Sequence, residues 1–366
     1  MKLHHETTVV ALAALLVAGA GCSKKTTAPL TSDPLAPGTR AGIATVHSAL
    51  SSPAWNKLDG LSFAPAPASS ATAVRALLRA AQPGALQAQQ VSGSLVRDVV
   101  AGLSSRLAGP NAVVIPPDVR GTTWVFDPAQ HRYVQDAGRT GAPDNGVRYI
   151  LYVVNPLTHE PVVSEEIGYA DLTDEGTDAP NTAALRLRAV SGDVVFVDYS
   201  VTLAGVAGAG QLGVHGTFFD NAKHLDFDIQ VHAESAGQQG SMDLHALLAV
   251  PEDSFQLSAD AHAAADAAAG TSQLAQDVTI GDHTFAIAAA GSGDEANATV
   301  KVDGTPFARI HATPSVVVVV GADGQPLSAE QRQALGQLFG LFEQVCVVLT
   351  RLLQPVGVLF ALVPIA

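Results

Sequence analysis

His224-Leu225-Asp226-Phe227-Asp228-Ile229-Gln230-Val231-His232-Ala233-Glu234 alternates without a fault. Leu225, Phe227, Ile229, Val231 and Ala233 share one parity. His224, Asp226, Asp228, Gln230, His232 and Glu234 share the other. A period of two sends successive side chains to opposite faces of a strand, so this segment predicts one core face and one wet face. The same period extends outward in both directions. Upstream it appears in Thr122–Phe126 and His131–Val134, which flank the turn signal Asp127-Pro128-Ala129-Gln130, then in Val147–Val154, Leu185–Ala189, Val194–Leu203 and Leu212–Phe219. Downstream it continues through Ser241–Ala249, Phe255–Asp266, Gln273–Ile280, His283–Ala290 and Ala296–Ile310. The connections are short and rich in Gly, Asp, Asn and Ser. Strands joined in this way, with no helix between them, are expected to pair as antiparallel neighbours. The expectation over residues 109–320 is one antiparallel meander of about a dozen strands, curled because a twisted sheet of that size does not stay flat.

Helical periodicity brackets this region. Residues 41–108 read as helical: Val74, Leu77 and Leu78 recur at helical spacing, and so do Leu95, Val99, Leu103 and Leu107. Trp55 is expected to dock the intervening Pro/Ala loop. In residues 321–366, Ser328-Ala329-Glu330-Gln331 fits a capping box. Leu335, Leu338, Phe339, Phe342, Val345, Cys346, Leu349, Leu352 and Leu353 then form a broad apolar stripe. On the β side, Ala259, Ala261, Ala263 and Ala265 leave room for something bulky, which suits that helix. The fold class expected is α+β and β-rich: a curled antiparallel meander, N-terminal helices, and a C-terminal apolar helix packed on the apolar face.

The formal charge is −14, with 34 acidic against 20 basic residues. An acidic surface repels phosphate backbones, so nucleic acid is not an expected partner. Cys22 and Cys346 are the only cysteines. Cys346 falls in the apolar stripe, where a free cysteine acts as a small hydrophobe.

The first residues carry Lys2, an uncharged apolar run from Val9 to Ala20, and Gly19-Ala20-Gly21-Cys22. A basic start, an apolar stretch and small residues at a cut site read as a secretory signal over residues 1–21. The run is shorter than the roughly 20 residues that span a bilayer. Gly19-Ala20-Gly21-Cys22 resembles the lipobox of bacterial lipoproteins, although Gly19 stands where that family prefers Leu. The resemblance implies a lipid, palmitate included, on Cys22, and attachment to a membrane through it. Residues 22–40, rich in Pro, Thr and Ser, then read as a flexible tether. Ser23 is not the aspartate that retains some lipoproteins at the inner membrane, which makes the outer membrane the expected address. A curled sheet with helices on its apolar face is also similar, in architecture alone, to the half-barrel lipoprotein carriers.

Two motifs bear on chemistry. Gly208-Ala209-Gly210-Gln211-Leu212-Gly213 matches G-x-G-x-x-G, but the strand-like Val214–Phe219 follows it where a dinucleotide site needs a helix. It reads as a glycine-rich hairpin connection. The second motif is on the polar strand faces. A hairpin closed near Ala236-Gly237 sets Asp228 opposite His245 and Gln230 opposite Asp243. One closed over Pro251–Ser254 sets His245 opposite Asp260 and Asp243 opposite His262. Asp228, His245, Asp260 and His262 then form a candidate divalent-metal set, or a His–Asp pair for acid–base work. The same row also reads as a solvated face whose cross-strand pairs add a few tenths of a kcal/mol each. Three functions follow: an envelope protein that binds or scaffolds a partner without catalysis, which is preferred; a carrier holding a lipid or other apolar ligand between sheet and helices; and a metal-assisted hydrolase. No cofactor is expected under the preferred function.

Overall fold

The computed structural model describes residues 57, 58, 61 and 115–339, apart from 156, 159, 177–180, 207, 221, 222, 267, 294, 314 and 337. Fifteen strands form one sheet. They are β1 (Thr122–Asp127), β2 (Arg132–Gln135), β3 (Gly146–Val154), β4 (Pro161–Asp174), β5 (Thr182–Ser191), β6 (Val194–Val206), β7 (Ala209–Asp220) and β8 (Lys223–Ala236). After them come β9 (Gln239–Val250), β10 (Phe255–Asp266), β11 (Thr271–Ile280), β12 (His283–Ser292), β13 (Glu295–Val302), β14 (Thr305–Ala312) and β15 (Val317–Gly321). From β3 to β15 each strand pairs antiparallel with the next, as the short connections require. The sheet is open, with β15 and β2 at its two edges.

One pairing departs from the meander. β1 lies parallel to β3, with Thr122 opposite Val147, and β2 pairs with β1 on the outer side. The loop after β2 carries the chain past β1 before β3 begins. The rule that helix-free connections yield antiparallel neighbours therefore fails at this one joint.

The strand list also grows. β4, unmarked in the sequence, carries Ser164, Glu165 and Glu166 in a row and shifts register against β3 at Leu151–Tyr152 and Tyr152–Val154. These bulges erase the two-residue period that would have announced it. The span Ala296–Ile310 is two strands, β13 and β14, turned at Asp303-Gly304 with Asp303 at φ 50° and Gly304 at φ 74°. Positive φ at both central residues is the twist-compatible two-residue turn. The run of valines before Gly321 makes β15.

The opening alternation behaves as expected. In β8, Leu225, Phe227, Ile229, Val231 and Ala233 are buried, while Gln230 and Glu234 are exposed. The buried side chains join one core cluster that runs from Phe126 in β1 to Ile310 in β14. Burial removes ~25 cal/mol per Å² of apolar surface from water, which is the main force holding so wide a sheet. Leu58, Leu61 and Ile115 belong to the same cluster. So do Leu327, Ala334, Leu335 and Leu338, the last three at a helix that begins at residue 329.

The capping box forms. The Gln331 N–H donates to Ser328 Oγ at 3.1 Å, and the Ser328 N–H donates to Gln331 Oε1 at 2.9 Å. The apolar stripe from residue 340 onward, Trp55 and the helices expected over 41–108 (residues 57, 58 and 61 excepted) lie outside the described residues. So do the expected signal over 1–21, Cys22 and the expected tether over 22–40.

Candidate functional site

The wet parity of β7–β11 makes the polar face. The β9–β10 register is the expected one: His245 stands opposite Asp260, and Asp243 opposite His262. Both pairs close as hydrogen bonds. His245 Nδ1 meets Asp260 Oδ1 at 2.6 Å, and His262 Nδ1 meets Asp243 Oδ1 at 2.6 Å. Because the acids alternate between strands, the two pairs form a two-by-two checkerboard.

The β8–β9 register needs correction. The hairpin closes over Gly237-Gln238, with Ala236 paired to Gln239 and Gly237 at φ 62°. A glycine accepts that φ without strain, and this centres the turn one residue later than Ala236-Gly237. The strands slide by two residues, so the faces are preserved but the partners change. Gln230 now stands opposite His245, and His232 opposite Asp243. Asp228 lies opposite Leu247 on β9 and His215 on β7.

The four-residue set Asp228, His245, Asp260 and His262 is therefore not one cluster. Asp228 is withdrawn from His245 and takes a 3.3 Å hydrogen bond from Gln230 Nε2. Among the described residues no three His, Cys, Asp or Glu side chains converge as a metal would need. The sequence set omitted Asp243, the acid that His262 engages. Its signal was in the same alternation, one pair along the strand.

The polar face is not level: an open hollow of about 730 Å³ crosses β5–β11. Asp228, Gln230, His245, Asp260, His262 and Asp277 are among its lining residues. His232 also lines it, with Nε2 2.9 Å from Glu234 Oε1 and Nδ1 shut from water without a partner.

Toward β3 the same face carries arginine–carboxylate forks. Arg148 holds Asp171 through two bonds of 2.7 and 2.8 Å and stacks over Tyr169, 3.7 Å from the ring centroid. Arg186 holds Asp198 at 2.7 and 2.8 Å. Hydrogen bonding to these carboxylates raises both guanidinium pKa values further above their ordinary range.

The G-x-G-x-x-G match falls on the turn into β7 and on β7 itself. A strand supplies no converging row of free amides, so nothing there resembles a phosphate cradle. The space that a carrier would use, between the apolar sheet face and residues 335–353, lies largely outside the described residues. Compared with protein-family models, curated proteins and solved structures, the chain has no match at a significant level.

Proposed function

We propose that this chain is a lipid-anchored protein of the bacterial cell envelope, held at the outer membrane through Cys22, whose hollowed polar sheet face binds an envelope partner without chemistry. The anchor rests on the lipobox resemblance and on the Pro/Thr tether that follows it. The binding role rests on one observation: the imidazole–carboxylate checkerboard lies open in a broad, shallow hollow. The side chains of His245 and Asp260 keep 49% and 58% of their surface, and those of His262 and Asp243 keep 49% and 54%. Acid–base catalysis draws on groups withdrawn from water in a closed pocket. Open, mutually paired polar groups on a rigid sheet suit recognition instead, because the ladder fixes their spacing before any partner arrives.

Two experiments test the two halves. In cells fed an alkyne palmitate, the wild-type chain takes up label and Cys22→Ala does not; label on Cys22→Ala removes the anchor. A photoreactive residue in place of Gln230 gives a defined cross-linked adduct in intact cells, and replacing both His245 and His262 with Gln abolishes it. An adduct indifferent to those two histidines, or no adduct at all, removes the binding role.

A further inference from the structure

The turns of the sheet fall at two ends. The β3–β4, β5–β6 and β7–β8 turns share one end, together with the β1–β2 turn, because β1 runs parallel to β3. The β6–β7 and β8–β9 turns share the other. Among the described residues, Val206, Val316 and Val318 are exposed at the second end, while Val153, Leu157, Val163, Val194 and Phe219, including the two most exposed of all, lie toward the first. Leu157, in the β3–β4 turn, is 90% exposed, and Val194, which opens β6, is 64% exposed. Val153 and Val163 are exposed on the strands beside Leu157.

The β3–β4 hairpin stands proud of its neighbour. Gly168 pairs with Ser191, the last residue of β5, so β4 from Pro161 to Ile167 lies past that strand's end. The turn is built to present Leu157: the Asn155 side chain accepts the Leu157 N–H at 2.9 Å. Two of the nearby acids are already matched, Glu160 by His131 at 2.8 Å and Glu166 by Arg139. Glu165 and Asp193 are exposed at the same rim.

The N-terminal chain arrives at this end too. Lys57 Nζ donates to Ser191 Oγ at 3.2 Å and lies 5.1 Å from the Phe196 ring centroid.

We propose that this end of the sheet rests on the bilayer, with Leu157 and Val194 in the boundary between headgroups and acyl chains. The inference rests on the lipid-anchor reading and adds an orientation to it. A lone leucine binds a membrane weakly, but a lipid on the same chain supplies a high effective concentration, so a weak contact suffices. Glu165 and Asp193 hold the end at headgroup depth and favour zwitterionic over anionic lipid. The polar hollow is then carried upright on the sheet, open to the aqueous side.

The test uses the full lipoprotein in phosphatidylcholine vesicles made with plain or brominated lipid. Bromine quenches a tryptophan only at close range, and wild-type emission is subtracted as background. Leu157→Trp is expected to add emission that brominated lipid suppresses severalfold. Gln238→Trp, in the β8–β9 turn at the opposite end, is expected to add emission that brominated lipid leaves alone. Quenching of Gln238→Trp alone, or of both equally, overturns the orientation. Quenching of neither, with the chain on the vesicles, overturns it as well and assigns the apolar tips to a protein partner. A chain that never joins the vesicle fraction overturns the anchor and the orientation together.

Discussion

Gly216 is the position where a single methyl group tests the packing of the sheet most severely. It pairs with Tyr199 across β6–β7. A Cβ at Gly216 would lie 2.2 Å from Tyr199 Cβ, 2.4 Å from Tyr199 Cα and 2.4 Å from Asp198 O. Ordinary contact begins near 3.4 Å, so the two strands would have to part by roughly 1 Å. None of these atoms is the far end of a flexible side chain. Tyr199 is itself buried, with its ring centroid 5.9 Å from that of Phe227, so moving it disturbs the core. Overpacking a core costs ~1–3 kcal/mol where side chains can yield, and here the backbone must yield as well. Gly216→Ala is expected to cost on the order of 3 kcal/mol, which lowers Tm by about 4 °C for a chain of 366 residues. Thermal unfolding followed by circular dichroism reads this directly. Gly213→Ala is the control on the same strand, because its new methyl meets chiefly the Thr202 hydroxyl, 2.6 Å away, which can rotate aside. A Gly216→Ala protein that melts with the wild type, or no lower than Gly213→Ala, would refute the account of strand spacing.

Two further outcomes concern polar contacts. Asp303 accepts the Thr284 N–H at 2.9 Å and lies 3.0 Å from His283 Nδ1. The backbone bond first, and the histidine second, hold its pKa below the ordinary carboxylate range near 4. Its stabilisation is therefore complete above about pH 4 and fades as pH falls through the lower folded value. In Tm measured against pH, Asp303→Asn should lower the neutral plateau and flatten the acid limb; an unchanged acid limb would contradict this. Ser328→Ala removes the acceptor for the Gln331 N–H and should cost about 1 kcal/mol, read as a fall in Tm, with Ser328→Asp retaining most of the stability.

Much of the fold was legible in short windows. The alternation through His224–Glu234 fixed a strand and both its faces, because a pleat permits no other assignment of parity. Ser328 and Gln331 announced their cap at the spacing that two reciprocal hydrogen bonds need. The β9–β10 register, and with it the pairs His245–Asp260 and His262–Asp243, followed from one turn and the rule that polar residues share a face. β4 was not legible, since its bulges break the period on which recognition depends. Asp228 was misplaced because parity tolerates a slip of two residues, and only the pairing of Ala236 with Gln239 chose between the alternatives.

By itself, then, the sequence determined what is local and periodic: which regularly alternating stretches form strands, which of their parities is buried, and where a helix is capped. It also carried the lipobox resemblance at Cys22 on which the proposed anchor rests. Tertiary structure alone decided the parallel seating of β1 on β3, the hollow across the polar face, and the overhang that sets Leu157 beyond the end of β5. Each of these depends on contacts between strands far apart in the chain, which leave no mark in any one stretch of residues.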